Sequence, residues 1–305
     1  MNITDVENEV LKDFYLLADY LKKEGKIEDL GKYKKDFSAF LLHAHHVKTY
    51  DFIVPFCKNK RVLDIGCFIG YGETPIYPQA NEIIAIDSDS NAIKFARKNR
   101  KFQNVKFKDV DARKLPFSNE TFDIIIASQV IEHIHPDEVS NFLEEVKRVL
   151  KKEGLFFIVT PNRRFRLLPF QKPFNPEHYQ EFTAKSLSKI LKTTFNNVQI
   201  KGIRAAEWIE KIERNRVRIS AYRLYIWVPM YRFLNIILPR GIISFLKKLK
   251  FKLTKLNQNE SKETSVDNNL FSNLFRRFSM DDFYLEERDN LINKSMDIVG
   301  ICKNE

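Results

Sequence analysis

Apolar residues in the first 24 positions recur at helical spacing, with Val10, Leu11, Phe14, Leu17 and Leu21 along one face, and predict a helix over 5–24. A second helical stretch is expected over 35–57. From there the period changes. Short runs rich in β-branched residues read as strands: 61–65 (RVLDI), 82–87 (EIIAID), 104–109 (NVKFKD), 122–127 (FDIIIA), 154–160 (GLFFIVT) and 197–203 (NVQIKGI). Between them, 89–101, 136–151 and 183–194 read as helices. Pro136-Asp137-Glu138 suits a first helical turn, Gly154 follows the end of that helix, and Thr183 is placed to cap the next. A late apolar run at 296–302 (MDIVGIC) adds a seventh strand. Strands alternating with helices of this length need crossover connections. The expected class is therefore α/β, a doubly wound, seven-stranded and mostly parallel sheet with helices on both faces.

The same pattern divides the chain into a helical N-terminal cap over 1–57, a core over 58–203, a basic helical insertion over 204–255, a polar linker over 256–280 and a segment over 281–305 that completes the core sheet. Charge sharpens this division. The 305-residue chain carries a net charge of +11; residues 201–255 hold 14 Lys/Arg against 3 Glu, and the remainder balances at 37 against 37. A neutral protein with one cationic segment points to an anionic partner surface. Residues 215–252 interleave Arg and Lys with Tyr222, Tyr225, Trp227, Tyr231 and Phe233. Their uncharged runs are far shorter than the ~20 residues that span a bilayer, and Pro229 and Pro239 break a continuous helix. Such a segment suits a membrane surface, where aromatic side chains sit among headgroups and cations face anionic lipid. A substrate-binding lid and an RNA-binding surface are the alternatives. Cys57, Cys67 and Cys302 are widely spaced, with no CxxC pair and no metal-ligand spacing, so neither a disulfide framework nor a metal site is expected. The acidic, polar N-terminus is unlike a signal peptide, and the expected location is cytoplasmic, peripheral on the inner face of the membrane where the basic segment engages it.

Candidate chemistry gathers at the strand ends. The first strand runs into GCFIGYG, which holds Gly66, Gly70 and Gly72, three of only nine glycines in the chain. Glycine there serves positive φ or close approach of a ligand to the backbone. The spacing does not match the G-x-G-x-x-G nicotinamide fingerprint. Asp87 ends the second strand, where a carboxylate can accept from both hydroxyls of a ribose. Asp111 follows the third strand, where it can accept from an exocyclic adenine amine while the Ala112 amide donates to a ring nitrogen.

The ordered series VLDIGCFIGYG, AIDSDS, DARKLPF, FDIIIASQVIEHI and LKKEGLFFIVTPN resembles that of the class I methyltransferases that use S-adenosylmethionine (SAM), of the methyltransferase domain 11/23-like type. The resemblance covers about 45–203 and the final strand. It implies a Rossmann-like sheet with SAM across its C-terminal strand ends. By position, Asp64, Gly66 and Gly70 would face the methionine part, Asp87 the ribose, Asp111 and Ala112 the adenine, and Ser128 and Gln129 the sulfonium side. The preceding HHVKTYDFIVPFCKNK resembles the family's lead-in, with His46 and Tyr50 near the cofactor; a helix face packed on the sheet explains it equally. One residue departs from the family's D-x-G-x-G-x-G: Phe68 stands where the middle glycine is usual.

Methyl transfer to a hydroxyl needs positioning and a base. His133 in QVIEHIH and His178 in NPEHYQEFT lie after the fourth and fifth strands and are the candidate catalytic residues. Glu132 would orient a neighbour or simply be solvated. No (D/N/S)-P-P-(Y/F) segment and no Pro-Cys nucleophile is present, which disfavours amino methylation of adenine or glutamine and carbon-5 methylation of cytosine. The expectation is methyl transfer from SAM to an oxygen or carbon of a small or lipid-linked acceptor, such as a glycan intermediate or quinone precursor. The alternatives are a non-catalytic adaptor that keeps the fold, which Phe68 would favour, and an RNA methyltransferase.

Overall fold

The computed structural model describes residues 5–167, 171–173, 175–222 and 265–305. Eight strands form one sheet: β1 (Arg61–Ile65), β2 (Glu82–Asp87), β3 (Val105–Asp109), β4 (Phe122–Ser128), β5 (Leu150–Pro161), β6 (Asn197–Ala205), β7 (Phe283–Glu286) and β8 (Asp297–Lys303), in the order β3-β2-β1-β4-β5-β8-β6-β7. The first five run parallel. β8 enters antiparallel between β5 and β6, and β7 pairs antiparallel with β6 at the edge. The expected seven strands are present, and β7 is an eighth. Its four residues include the charged Glu286, which holds Arg288, so no apolar run announced it.

The helices are α1 (Asp5–Lys23), α2 (Leu30–Lys34), α3 (Phe37–Asp51), α4 (Glu73–Ile76), α5 (Ser90–Asn99), α6 (Val139–Val149), α7 (Arg163–Arg166), α8 (Ala184–Leu191), α9 (Glu207–Tyr222), α10 (Ser265–Arg277) and α11 (Asp289–Ile292). Where helices were expected their caps explain them. Asp36, Asp89 and Thr183 each accept backbone N–H groups at the starts of α3, α5 and α8. The helix expected to reach 151 stops at Val149, because Leu150 already begins β5.

Buried apolar strands explain the sheet. β4 buries six of its seven residues, as a strand covered on both faces must. The second core was not expected. Phe14 of α1 and Phe40 of α3 pack with Phe271 and Phe275 of α10 and with Phe278, and the rings of Phe40 and Phe275 lie 5.1 Å apart. Full burial of one such ring stabilises by roughly 1.5–3 kcal/mol. Residues 265–277, expected as linker, thus form a helix tied to the N-terminal cap. Their apolar residues recur at Phe271, Leu274, Phe275 and Phe278, a helical period masked by the polar run before it. Residues 223–264, which include Tyr225, Trp227, Pro229, Tyr231, Phe233 and Pro239 of the basic segment, lie outside the described residues.

The strand order reverses at β1, which has β2 on one side and β4 on the other. The crevice beyond the C-terminal ends of these strands is where an open α/β sheet receives its ligand.

Candidate active site

Two cavities open at these strand ends. The first, about 280 Å³, is walled by Gly66, Asp87, Asp111, Ala112, His133 and Tyr179 among others. The second, about 230 Å³, is walled by residues that include His46, Gln129, His133, Arg166, His178 and Asp297. His133 lies in both walls.

The first cavity is made by backbone turns at successive strand ends. The amides of Gly66 and Cys67 both donate to the Ile86 carbonyl at 2.8 and 3.0 Å, which stitches the glycine loop to the end of β2. Gly66 has φ +78°, and a Cβ there would lie 2.4 Å from Val130 Cγ2, so no other residue fits. Asp87 Oδ2 accepts the Phe68 amide and Oδ1 the Asp89 amide, each at 2.8 Å. Burial pushes its carboxyl up, and these amides oppose the rise. Asp111 is gripped by Arg113, whose Nη2 lies 2.6 Å from Oδ2, and that bond holds the carboxyl below its usual range. Arg113 also reaches Glu138 at 2.9 Å.

These features fit a nucleoside whose ribose meets Asp87. Residues 63–158 match the family profile described as "Methyltransferase domain". A probable S-adenosylmethionine-dependent methyltransferase of Mycobacterium tuberculosis is 31% identical over 156 residues, covering 51% of this chain and 55% of that protein. A ubiquinone biosynthesis O-methyltransferase of Bartonella tribocorum is 29% identical over 173 residues, 55% of this chain and 69% of that protein. A SAM-dependent methyltransferase structure from Aquifex aeolicus overlaps with TM-score 0.42 at 17% identity, over 52% of this chain and 85% of that one. Over this span the chain is similar to SAM-dependent methyltransferases. The chain spans about half the length of the first curated relatives it matches, 55%.

The glycine loop's departure at Phe68 has a local explanation. Phe68 adopts φ +50°, a conformation that glycine takes freely and other residues rarely. Its ring turns away from the loop and meets Tyr20 of α1 edge-on at 5.2 Å, with Lys26 Nζ 5.8 Å from the ring. Tyr20 in turn donates to Asp89 at 3.0 Å. The side chain does not line the first cavity; it fastens α1 over the loop.

The other expected cofactor residues divide. Gly66, Asp87, Asp111 and Ala112 wall the first cavity. Asp64, Gly70 and Ser128 do not. Asp64 is fully buried beneath the loop and accepts from Tyr50 Oη at 3.2 Å; burial, reinforced by Glu73, pushes its carboxyl up. Gly70, at φ +77°, is held against Phe107, whose ring a Cβ would meet at 2.7 Å. Ser128 is buried in β4. Gln129 belongs to the second cavity: its φ is +58° and its Nε2 donates to Asp297 Oδ2 at 2.7 Å. His46 also walls the second cavity, whereas Tyr50 lies under the loop against Gly72.

The histidines do converge. The rings of His133 and His178 meet edge-on at 4.6 Å, and His178 Nδ1 lies 3.3 Å from Glu181 Oε1. Burial and the neighbouring His178 lower the His133 pKa, which leaves it a free base at neutral pH. Glu132 is not solvated. It is fully buried, accepts from Thr160 Oγ1 at 2.9 Å, and is pushed up to about 8 by burial. Glu132, His133 and His178 bring one ligand atom each within 4.8 Å of one another, a grouping that spacing along the chain does not reveal. With Glu132 neutral near pH 7, the group suits proton handling, and we assign no ion to it.

Several wall residues were not foreseen. Arg113, Glu138 and Tyr179 border the first cavity, and His45, Arg166, Glu213 and Arg216 border the second. Glu213 and Arg216 come from α9, the described start of the basic segment, so part of that segment forms cavity wall. Asp297 comes from β8, where it reads as part of a strand.

Proposed function

We propose that this chain transfers the methyl group of SAM to a hydroxyl oxygen of a small acceptor held in the second cavity. The observation that carries the reading is the position of His133 in both walls, between the cofactor cleft and a separate polar chamber. SAM supplies a methyl group on a sulfonium whose leaving group is a neutral thioether. The chain's own part is to hold the acceptor and take its proton. His133, with its pKa lowered, accepts the hydroxyl proton as the oxygen–carbon bond forms, and His178 braces its ring. The similarity to ubiquinone biosynthesis O-methyltransferases supports oxygen as the acceptor atom and a phenolic acceptor as one class to try. Calorimetry tests the cofactor half. Micromolar SAM binding that weakens at least tenfold in Asp87→Ala supports the reading; absence of SAM binding by the unaltered chain overturns it.

The charge of residues 201–255 supports a further element, a lipid-linked acceptor approached at an anionic membrane surface through 204–255. No helix among the described residues is long and apolar enough to cross a membrane. Flotation with phosphatidylglycerol vesicles at low salt, and none with phosphatidylcholine, is the expected result. Failure to float with either discards the membrane element and leaves the chemistry intact.

A further inference from the structure

The second cavity is lined by charge, and its charges can be followed one at a time. Glu213 takes the guanidinium fork of Arg216, with the Arg216 Nε at 2.7 Å. Asp297 accepts from Gln129 and lies 3.8 Å from His45 Nε2. Burial lowers His45 and His46 to about 4, so both are neutral at pH 7, and it keeps Glu132 protonated. The wall's second cation, Arg166, touches neither of its carboxylates, Asp297 and Glu213. Arg166, at the end of α7, has a side chain with no hydrogen bond and no ion pair among the described residues, and its buried Nε has no hydrogen-bond partner among them. Its field reaches Asp297, Glu213, His45 and His46 without contact. The other arginines of the two walls differ: Arg113 holds Asp111 and Glu138, and Arg216 holds Glu213.

A buried, unsatisfied donor on a charged group is unfavourable, and proteins keep one chiefly where a ligand completes it. A guanidinium presents parallel donors that match a carboxylate or phosphate in a two-point contact. At about 230 Å³ the chamber is smaller than the usual range for drug-sized ligands, so it suits a compact molecule.

Resting on the acceptor role given to this cavity, we propose that Arg166 is a specificity-determining residue: it pairs with a carboxylate or phosphate on the acceptor and so turns the acceptor hydroxyl toward His133. The two-point contact fixes one end of a compact molecule, and the shared His133 wall fixes where the other end must react. An acceptor with the same hydroxyl and no anion would enter without a fixed orientation.

The test needs no SAM. Benzoate, phenyl phosphate and the neutral isostere benzamide are titrated into the full chain, with binding followed by calorimetry and by the histidine ring signals in NMR. The expected result is millimolar or tighter binding of at least one anion, at least tenfold weaker binding of benzamide, and shifts of the His133 and His178 signals. Preference for phenyl phosphate identifies a phosphorylated acceptor, and preference for benzoate a carboxylated one. Arg166→Gln should weaken the preferred anion at least tenfold while leaving the ligand-free melting temperature unchanged or higher, since no side-chain hydrogen bond or ion pair among the described residues is lost and a buried unsatisfied donor is removed. Equal affinity for benzoate and benzamide, no binding of any probe at millimolar concentration, or unchanged anion affinity in Arg166→Gln would each overturn the proposal. The wild-type comparison stands even if the variant fails to fold. Loss of SAM binding with intact, Arg166-dependent anion binding would sink the methyl-transfer reading alone; the reverse would sink this one alone.

Discussion

The two cavities share His133 and are otherwise built in opposite ways. The first cavity takes its wall from turns that follow β1, β2, β3 and β4 in chain order, and backbone amides set most of its geometry: Gly66 and Cys67 on Ile86, Phe68 and Asp89 on Asp87. The second cavity takes long side chains from α3, α7, α9, β8 and two loops, residues separated by as many as 255 positions from Leu42 to Asp297. A wall of backbone turns is rigid and tolerates replacement of its neighbours. A wall of side chains is rewritten by single substitutions.

This contrast can be broken most sharply at the shared residue. His133→Ala should lower turnover by roughly 10²- to 10³-fold while changing SAM affinity no more than about threefold, as loss of a general base would. A parallel loss of SAM binding would mean that His133 serves the cofactor wall, and the division of labour would fail. The next effect lies within the acceptor wall. Glu132 ionises near 8 when folded and near 4.5 when unfolded, so the folded state holds its proton more tightly. Stability from this group is complete below pH 4.5 and declines as pH rises through 8. Glu132→Gln should flatten that decline, raising the melting temperature at pH 8 relative to wild type by several degrees more than at pH 5. Identical pH profiles would place Glu132 in water. The smallest effect is expected in the cofactor wall. Phe68→Gly frees a strained φ but loses the Tyr20 contact, so SAM affinity should stay within about threefold, with a stability change of about 1 kcal/mol. A large gain in SAM affinity would show that the ring obstructs the loop after all.

The same contrast explains what could be read from the sequence. Strand runs, caps and the ordered loops are local features, and local features predict local structure; the seven expected strands came from them, and so did four residues that line the first cavity, Gly66, Asp87, Asp111 and Ala112. Asp64 and Gly70 sit in the same motif, yet the Asp64 carboxylate turns beneath it to Tyr50, and the Gly70 backbone is packed against Phe107. The direction of a side chain depends on what packs against it, and those partners are distant in sequence. Arg166 lies in a run of arginines, NRRFR, with nothing local to separate it from Arg163 or Arg164. Only the assembled wall shows that it lacks a carboxylate. The α10 core failed for a related reason. Phe271, Phe275 and Phe278 are helical in spacing, but the polar run before them made linker the simpler reading.

The placement of β8 has a consequence for how the protein is made. It is the last strand in sequence, yet it lies between β5 and β6. During synthesis from the N-terminus, β6 is complete about 90 residues before the strand that will join it to the sheet exists. Until then β5 presents a bare apolar edge, since Leu155 to Pro161 pair with Lys303 back to Asp297. Pairing of such sequence-distant segments is slow, and unpaired strand edges invite association with other chains. The growing chain should therefore depend on chaperones most strongly in the interval between residues 205 and 297, and a stop codon placed there should yield insoluble product where the 305-residue chain does not.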